Sequence, residues 1–264
     1  MKLTILGCGA TTGVPMIAAG WGNCDPNNPK NRRLRSSVLV EDDDTVILVD
    51  TSPDIRQQLL AANVSRLDAV LYTHSHADHC HGIDDLRAIN RAMNAPIPAY
   101  TDKTTFSDLK QRFGYVFEPM AEGAKTIYKP LLTEHEITHG ETFEINKTQI
   151  RAFDQDHGFS QTLGFIFQNG KSTIAYSTDL TELAEPSFEL LEEAGGLDLW
   201  IIGTLVNNPH PTHAHVDKAL SWIDRVKPKR AILTHMSVAL DYAELSSMLP
   251  ENVEAAYDGM VLVS

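Results

Sequence analysis

The sequence predicts an α/β fold in which two β-sheets pack face to face beneath outer helices: a four-layer αββα sandwich of two similar halves, forming a single domain over residues 1–264. Three observations carry this expectation. Short apolar runs read as strands, segments with helical spacing of apolar residues follow them, and the same succession starts again in the second half. No low-complexity linker separates the halves, only turn-rich sequence around 118–130, so the sheets are expected to share one core.

In the first half, KLTIL (2–6), SSVLVE (36–41), TVILVD (45–50), DAVLYT (68–73) and PIPAY (96–100) are short strand-like runs. PDIRQQLLAA (53–62) and IDDLRAINRAM (83–93) place apolar residues at helical spacing. In the second half, ETFEI (141–145), TQIRAFD (148–154), TLGFIFQ (162–168) and STIAYSTD (172–179) read as strands. Helices are expected over 186–194 and 216–226, with further strands at LWIIGT (199–204) and RAILTH (230–235).

Composition narrows the function. A chain of 264 residues, 42% hydrophobic, can bury one large core. A formal charge of -13 argues against bulk binding of nucleic acid or an anionic membrane, both of which need a basic face. The opening MKLTILGCGATTG reaches a glycine after six residues, so neither a signal peptide nor a membrane span is expected, and the protein is placed in the cytoplasm. Cys8, Cys24 and Cys80 show no CxxC spacing, which fits reduced thiols better than disulfides or a sulfur-rich zinc site. A homodimer is compatible with this composition.

The densest chemistry lies in YTHSHADHCHG (72–82), directly after an apolar run. His74 and His76 are two apart and project to one side of extended backbone, whereas Asp78 and His79 follow where a helix starts. Such a loop can serve two different ions: neutral imidazoles suit zinc, manganese or iron, and a carboxylate helps hold a second dication. His81 lies beyond this pattern and reads as a supporting residue. Two ions need further ligands from distant sequence, and His157, Asp179 and His235 each follow an apolar run that would deliver them to one sheet edge.

With these residues in place the sequence resembles the metallo-β-lactamase superfamily, whose HxHxDH hallmark stands here as HSHADH (74–79). The resemblance covers nearly the whole chain. It implies that His74, His76 and His157 hold one ion, that Asp78, His79 and His235 hold the other, and that Asp179 bridges them. It also implies that Asp50 stands behind the histidines and fixes an imidazole tautomer. The ions expected are two divalent transition metals, zinc or manganese.

Within the superfamily, LGCGATTGVP, NRRLRSSVLVE, SHADHCHGIDDLR and YDGMVLV look most like the phosphoribosyl cyclic phosphodiesterase group. That group often carries a cysteine cluster after the first loop and a histidine soon after the last metal-binding one. Here WGNCDPNNPKN keeps only Cys24 and THMSVAL has no second histidine, so no structural zinc is expected. In HPTHAHVDKAL (210–220), His213 matches the histidine that phosphodiesterase members use to assist the leaving group; His210 and His215 are alternatives, and His215 also stands where a helix would be capped.

The resemblance thus implies hydrolysis of a small phosphorylated substrate, with the ions and Asp78 at the reacting centre and His213 giving a proton to the departing oxygen. Arg32, Arg33 and Arg35 form the only dense basic run; by strand alternation Arg33 and Arg35 share a face turned either to phosphate or to solvent, with His215 as a further candidate substrate contact. GCGATTG (7–13) either offers backbone N–H groups to an anion or simply bends beside the site. Two other readings stand beside the phosphodiesterase: a thioester hydrolase of the glyoxalase type, which has no need of a leaving-group acid, and a non-hydrolytic metal-binding protein of the cofactor-biosynthesis kind.

Overall fold

The computed structural model describes all 264 residues. The first half contains β1 (Lys2–Gly7), β2 (Ser37–Asp42), β3 (Thr45–Val49), α1 (Ile55–Ala61), β4 (Ala69–Leu71), α2 (Ala77–Cys80), α3 (Leu86–Met93), β5 (Ile97–Thr101), α4 (Lys103–Phe113) and β6 (Leu132–Glu136). The second contains β7 (Thr142–Ile145), β8 (Thr148–Asp156), β9 (Gln161–Gln168), β10 (Thr173–Ser177), α5 (Glu185–Glu193), β11 (Leu199–Gly203), α6 (Val216–Val226), β12 (Arg230–Thr234), α7 (Tyr242–Met248), β13 (Val253–Ala255) and β14 (Val261–Val263).

These strands form two seven-stranded sheets, ordered β14-β1-β2-β3-β4-β5-β6 and β13-β12-β11-β10-β9-β8-β7. Each runs antiparallel through its first four strands (β14 to β3, β7 to β10) and parallel through the rest. The halves are therefore alike, with β14 taking in the first sheet the place that β7 takes in the second. The last strand of the chain crosses back to complete the first sheet.

Alternation along the strands explains the four layers. Val38, Val40, Ile47 and Val49 face the second sheet and share a core with Ile150, Phe165, Phe167 and Ile174. Leu39 and Leu48 point the other way, against Ile55 and Leu59 of α1, Leu86 and Ile89 of α3, and Phe106 and Leu109 of α4. On the far side, Leu191 of α5 and Trp222 and Ile223 of α6 cover the second sheet. No helix is long and apolar enough to cross a membrane.

Five elements, the last strand β14 among them, depart from the expectations. Helices α4 and α7 were not legible from apolar spacing; Asp102 and Asp241 start them by accepting hydrogen bonds from the first N–H groups, Thr104 and Thr105 in one and Ala243 and Glu244 in the other. Edge strand β6 is polar and mostly exposed, and β13 spans three residues.

The turn before β14 is tied to the end of β1 by Asp258, whose carboxylate accepts from Cys8 N at 3.0 Å, Leu34 N at 2.6 Å and the Cys8 thiol at 3.3 Å. Burial pushes the Asp258 pKa from 3.8 up to about 6. A carboxylate whose folded pKa is raised binds a proton more readily in the native state, so its charge costs stability above that pKa and the cost disappears as pH falls towards the unfolded value. In urea denaturation of metal-free protein, wild type is expected to gain on Asp258→Asn between roughly pH 6 and 4 by up to about 1.4 kcal/mol per pH unit. A pH-independent difference between the two proteins would contradict this.

Candidate metal centre

The chain turns at strand ends to bring its ligands together. Asp50, Asp179 and His235 lie just past β3, β10 and β12, and all three take left-handed backbone conformations, with φ of 63°, 50° and 57°. A residue with a Cβ pays about 1 kcal/mol or more for that conformation, yet it swings the side chain out of the strand alternation and into the space beyond the sheet edge.

Asp50 organises the first loop. Fully buried, it accepts from Thr73 N and the Thr73 hydroxyl, each at 2.8 Å, and from His79 Nδ1 at 2.7 Å. The loop then closes through Thr51 N to His79 O and Gly82 N to Thr51 O. Glycine is required at 82 because a Cβ there would stand 2.0 Å from Ser52 O.

The histidine tautomers follow from these partners. With its hydroxyl proton given to Asp50, Thr73 accepts from His74 Nδ1 at 3.0 Å; His157 Nδ1 donates to Thr212 O at 2.7 Å; His79 Nδ1 donates to Asp50. Each ring, when neutral, therefore presents an Nε2 lone pair inward. His235 differs, with Nδ1 lying 3.0 Å from Asp179 Oδ1 and 3.1 Å from Ser36 Oγ.

Two groups of potential ligands result: His74, His76, His157 and Asp179, then Asp78, His79, Asp179 and His235, with the donor atoms of each group within 4.8 Å of one another. Asp179 belongs to both. Its Oδ2 lies 3.7 Å from His74 Nε2 and 3.8 Å from His157 Nε2, and its Oδ1 lies 3.3 Å from His79 Nε2. Four buried atoms among these residues, His74 Nε2, Asp78 Oδ2, His79 Nε2 and His235 Nε2, have no hydrogen-bond partner. Converging buried donors left without partners are costly in a protein interior, and imidazole with carboxylate is the donor set that zinc or manganese accepts. The residues fit metal.

Electrostatics divide between the ligand groups, keeping His74 and His157 neutral and favouring a proton on His79, which a bound cation would displace. Burial holds His74 and His157 below the ordinary histidine range, which keeps them neutral, the form that ligates. Burial opposes a charge on His79 too, but the carboxylates of Asp179, Asp78 and Asp50 outweigh it and push its pKa well up. Burial would raise Asp179, yet His235 and His79 hold it well below the usual carboxylate range.

His213 stands beside the shared carboxylate. Its Nε2 is 3.4 Å from Asp179 Oδ2 and its ring stacks on His235 at 5.2 Å. The Thr212 hydroxyl lies 2.8 Å from His213 Nδ1; donating there, it would leave the proton on Nε2, facing the centre. Of the alternatives, His210 packs 5.3 Å behind His213, and His215 occupies the N-cap position of α6 without a side-chain capping bond. His81 is exposed and packs edge-on against Phe113.

The arginine expectation is corrected. Arg33 is buried, its guanidinium donating to Ser237 O at 3.1 Å and Leu240 O at 2.8 Å, and Arg35 forks onto Asp54 at 2.8 and 2.6 Å. Residues 32–35 make only isolated bridges before β2, so strand alternation does not apply, and the two side chains fasten different parts of the fold. Arg32 stacks over Trp21. Cys24 donates to Val238 O and Leu240 O, and all three cysteines are buried free thiols. In the glycine-rich loop, the N–H groups of Cys8, Gly9 and Ala10 bond inward and Gly13 N closes a turn onto Ala10 O. That turn carries Thr11 to the centre.

Two clefts meet at His76. The smaller, about 340 Å³, is lined by Thr11, His157, Asp179 and His213; the larger, about 720 Å³, runs from His74 along α4 to β6 and β8. Phe159 and Ser160 border both. Sequence reasoning missed Thr73, Ser36 and Thr212, which face the imidazoles, and Phe159. Of these, Thr73 and Thr212 directly precede site histidines, which was the signal available.

A family model described as a beta-lactamase superfamily domain matches residues 45–236. The chain belongs to the metallo-β-lactamase superfamily. Among solved superfamily structures, a diphosphatase of the PhnP family is 33% identical, with a TM-score of 0.88 over 100% of this chain and 97% of that one, and it supports the subgroup the sequence resembles. Zinc-bound PqqB from Methylobacterium extorquens shares the metallo-β-lactamase fold, with 20% identity, a TM-score of 0.78 and full coverage of both chains. Among curated relatives, an octanoyltransferase of Porphyromonas gingivalis (strain ATCC BAA-308 / W83) is 31% identical over 98% of this chain but 51% of its own length, so the chain spans about half of that relative. A ribonuclease Z of Mycobacterium sp. (strain KMS) is 24% identical, over 78% of this chain and 79% of its own.

Proposed function

We propose that this metallo-hydrolase superfamily member is a two-metal phosphodiesterase that acts on a small phosphorylated substrate, a cyclic phosphate or a nucleotide-like diester. The observation that carries the reading is His213 Nε2, 3.4 Å from the carboxylate common to both ligand groups. A proton held there stands where an oxygen would leave a phosphorus bound at the centre. Similarity to the PhnP-family diphosphatase supports phosphoryl chemistry.

His74, His76 and His157 would hold one divalent ion and Asp78, His79 and His235 the other, with Asp179 shared. When bound, such ions acidify water and neutralise charge on phosphoryl oxygens. The chain's own residues do the rest. Asp50, Thr73 and the Thr212 carbonyl fix ring orientation, and the Thr212 hydroxyl orients His213 so that Nε2 can protonate an alkoxide leaving group.

The glyoxalase-type reading has less support, because a thiolate departs without an acid. Nor does the larger cleft suit an octanoyl chain: only Ile137, Phe159 and Leu163 in its lining are apolar. The net charge of -13 favours a free small molecule over bulk nucleic acid as substrate, and three free thiols suit action in the reducing cytoplasm.

Metal-reconstituted protein should hydrolyse cyclic ribose phosphates, cyclic nucleotides and bis-p-nitrophenyl phosphate, and leave a glutathione thioester intact. Turnover of the thioester alone would replace this reading with the glyoxalase type, and no turnover with a full metal complement would favour the non-hydrolytic one. Elemental analysis should find two transition-metal ions per chain. Saturation near one, or near three with Cys24 as a ligand, would contradict the assignment.

A further inference from the structure

The larger cleft reaches well beyond the ligand groups, and its far part is unlike a phosphate-binding surface. Asp102, Asp108, Glu136 and Asp154 line it against only Lys103 and Arg112 as permanent cations. Asp102 is occupied by the first N–H groups of α4, and Asp108 accepts from Ser75 at 2.6 Å. Arg112 is turned inward, donating to Ser75 O in the loop that carries His74 and His76. Asp154 lies 3.6 Å from His139 Nδ1, whereas Glu136 makes no ion pair or hydrogen bond through its side chain and faces the cleft free.

Phe159 borders this cleft where it meets the centre, and 95% of the residue is exposed. It sits in the tight connection between β8 and β9, held by His157 N to Ser160 O at 2.9 Å and Phe159 N to His157 O at 3.1 Å. Gly158 has φ +81°, and a Cβ on it would stand 2.8 Å from Pro211 O, so the connection is laid closely on the loop that carries His213. A large aromatic ring fully in water, mounted next to a ligand histidine, has an apolar face to give to a substrate.

We infer that the larger cleft is a subsite for one uncharged, ring-bearing unit attached to the phosphoryl group, a nucleoside, with Phe159 as its stacking platform and, among the carboxylates at the far end, the unpartnered Glu136 taking hydroxyl or amino protons. The same carboxylates repel a second phosphate, so the subsite selects a mononucleotide-type substrate over a polynucleotide. This rests on the phosphodiesterase reading for the reaction but not for binding. Aromatic stacking on a base changes affinity by about tenfold per contact.

The test uses the full metal-loaded chain and calorimetric binding of AMP, ribose 5-phosphate and a 5′-phosphorylated tetra-adenylate, alongside kcat/KM for adenosine 2′,3′-cyclic phosphate and a ribose cyclic phosphate that lacks a base. In Phe159→Ala the ratio of AMP to ribose 5-phosphate affinity should fall about tenfold, and Phe159→Trp should restore it. The kcat/KM ratio of the two cyclic substrates should fall in parallel, through KM rather than kcat. Wild type should prefer AMP to the tetranucleotide, and Glu136→Lys should narrow that preference. An unchanged affinity ratio in Phe159→Ala, or equal binding of AMP and tetranucleotide by wild type, overturns the inference. If the binding contrasts hold while neither cyclic substrate is turned over, the subsite stands and the phosphodiesterase reading falls.

Discussion

Asp179→Ala is expected to strip metal from both ligand groups and to lose more activity than any other carboxylate substitution. Its two oxygens face His74, His157 and His213 on one side and His79 and His235 on the other, at 3.0–3.8 Å. Removing it takes a ligand from each ion. Asp50 orients His79 from behind, so its loss should cost roughly the 10- to 100-fold typical of an outer hydrogen-bonding partner. Asp179→Ala should exceed that. Glu182 is the control: exposed and paired with Lys218, it should be replaceable by alanine with metal content intact. Elemental analysis and kcat/KM on the three variants decide the order, and similar losses in Asp179→Ala and Glu182→Ala would refute it.

His213→Ala should keep both metals and lose about 10²- to 10⁴-fold in kcat/KM on a ribose cyclic phosphate. The departing ribose oxygen is a poor leaving group without a proton, whereas nitrophenolate leaves with little help. Bis-p-nitrophenyl phosphate should therefore suffer a smaller loss. Because His213 Nε2 approaches Asp179 Oδ2 at 3.4 Å, metal content has to be measured with the rates, so that a weakened site is not mistaken for a missing acid. Equal losses on the two substrates would mean that His213 grips phosphoryl oxygens instead, and unchanged rates would make it a bystander.

The sequence made the ligand-bearing strands legible because their apolar runs end abruptly on histidine or aspartate, as at TVILVD, STIAYSTD and RAILTH. Helix 216–226 matched α6 to the residue, and the helix expected over 186–194 starts one residue earlier, at Glu185. Other elements hid for physical reasons. Only Phe106 and Leu109 bury apolar side chains in α4, and only Leu245 is buried in α7, so a capping aspartate rather than periodicity marks each start. Strand β14 is three residues long and takes its register from β1, more than 250 residues away, which no local pattern encodes. Arg33 and Arg35 misled because alternation was assumed where the chain is not yet a strand. Residues such as Ser36 and Thr212 act through hydroxyls on distant or adjoining imidazoles, a role that their identity alone does not announce.

The left-handed turns at Asp50, Asp179 and His235 set folding and chemistry against each other. Glycine would relax the backbone at each position, but at 50 it would also leave the buried Thr73 N without its partner. The presence of all three turns together places three strained residues around one cleft, the pattern expected where backbone strain serves a site.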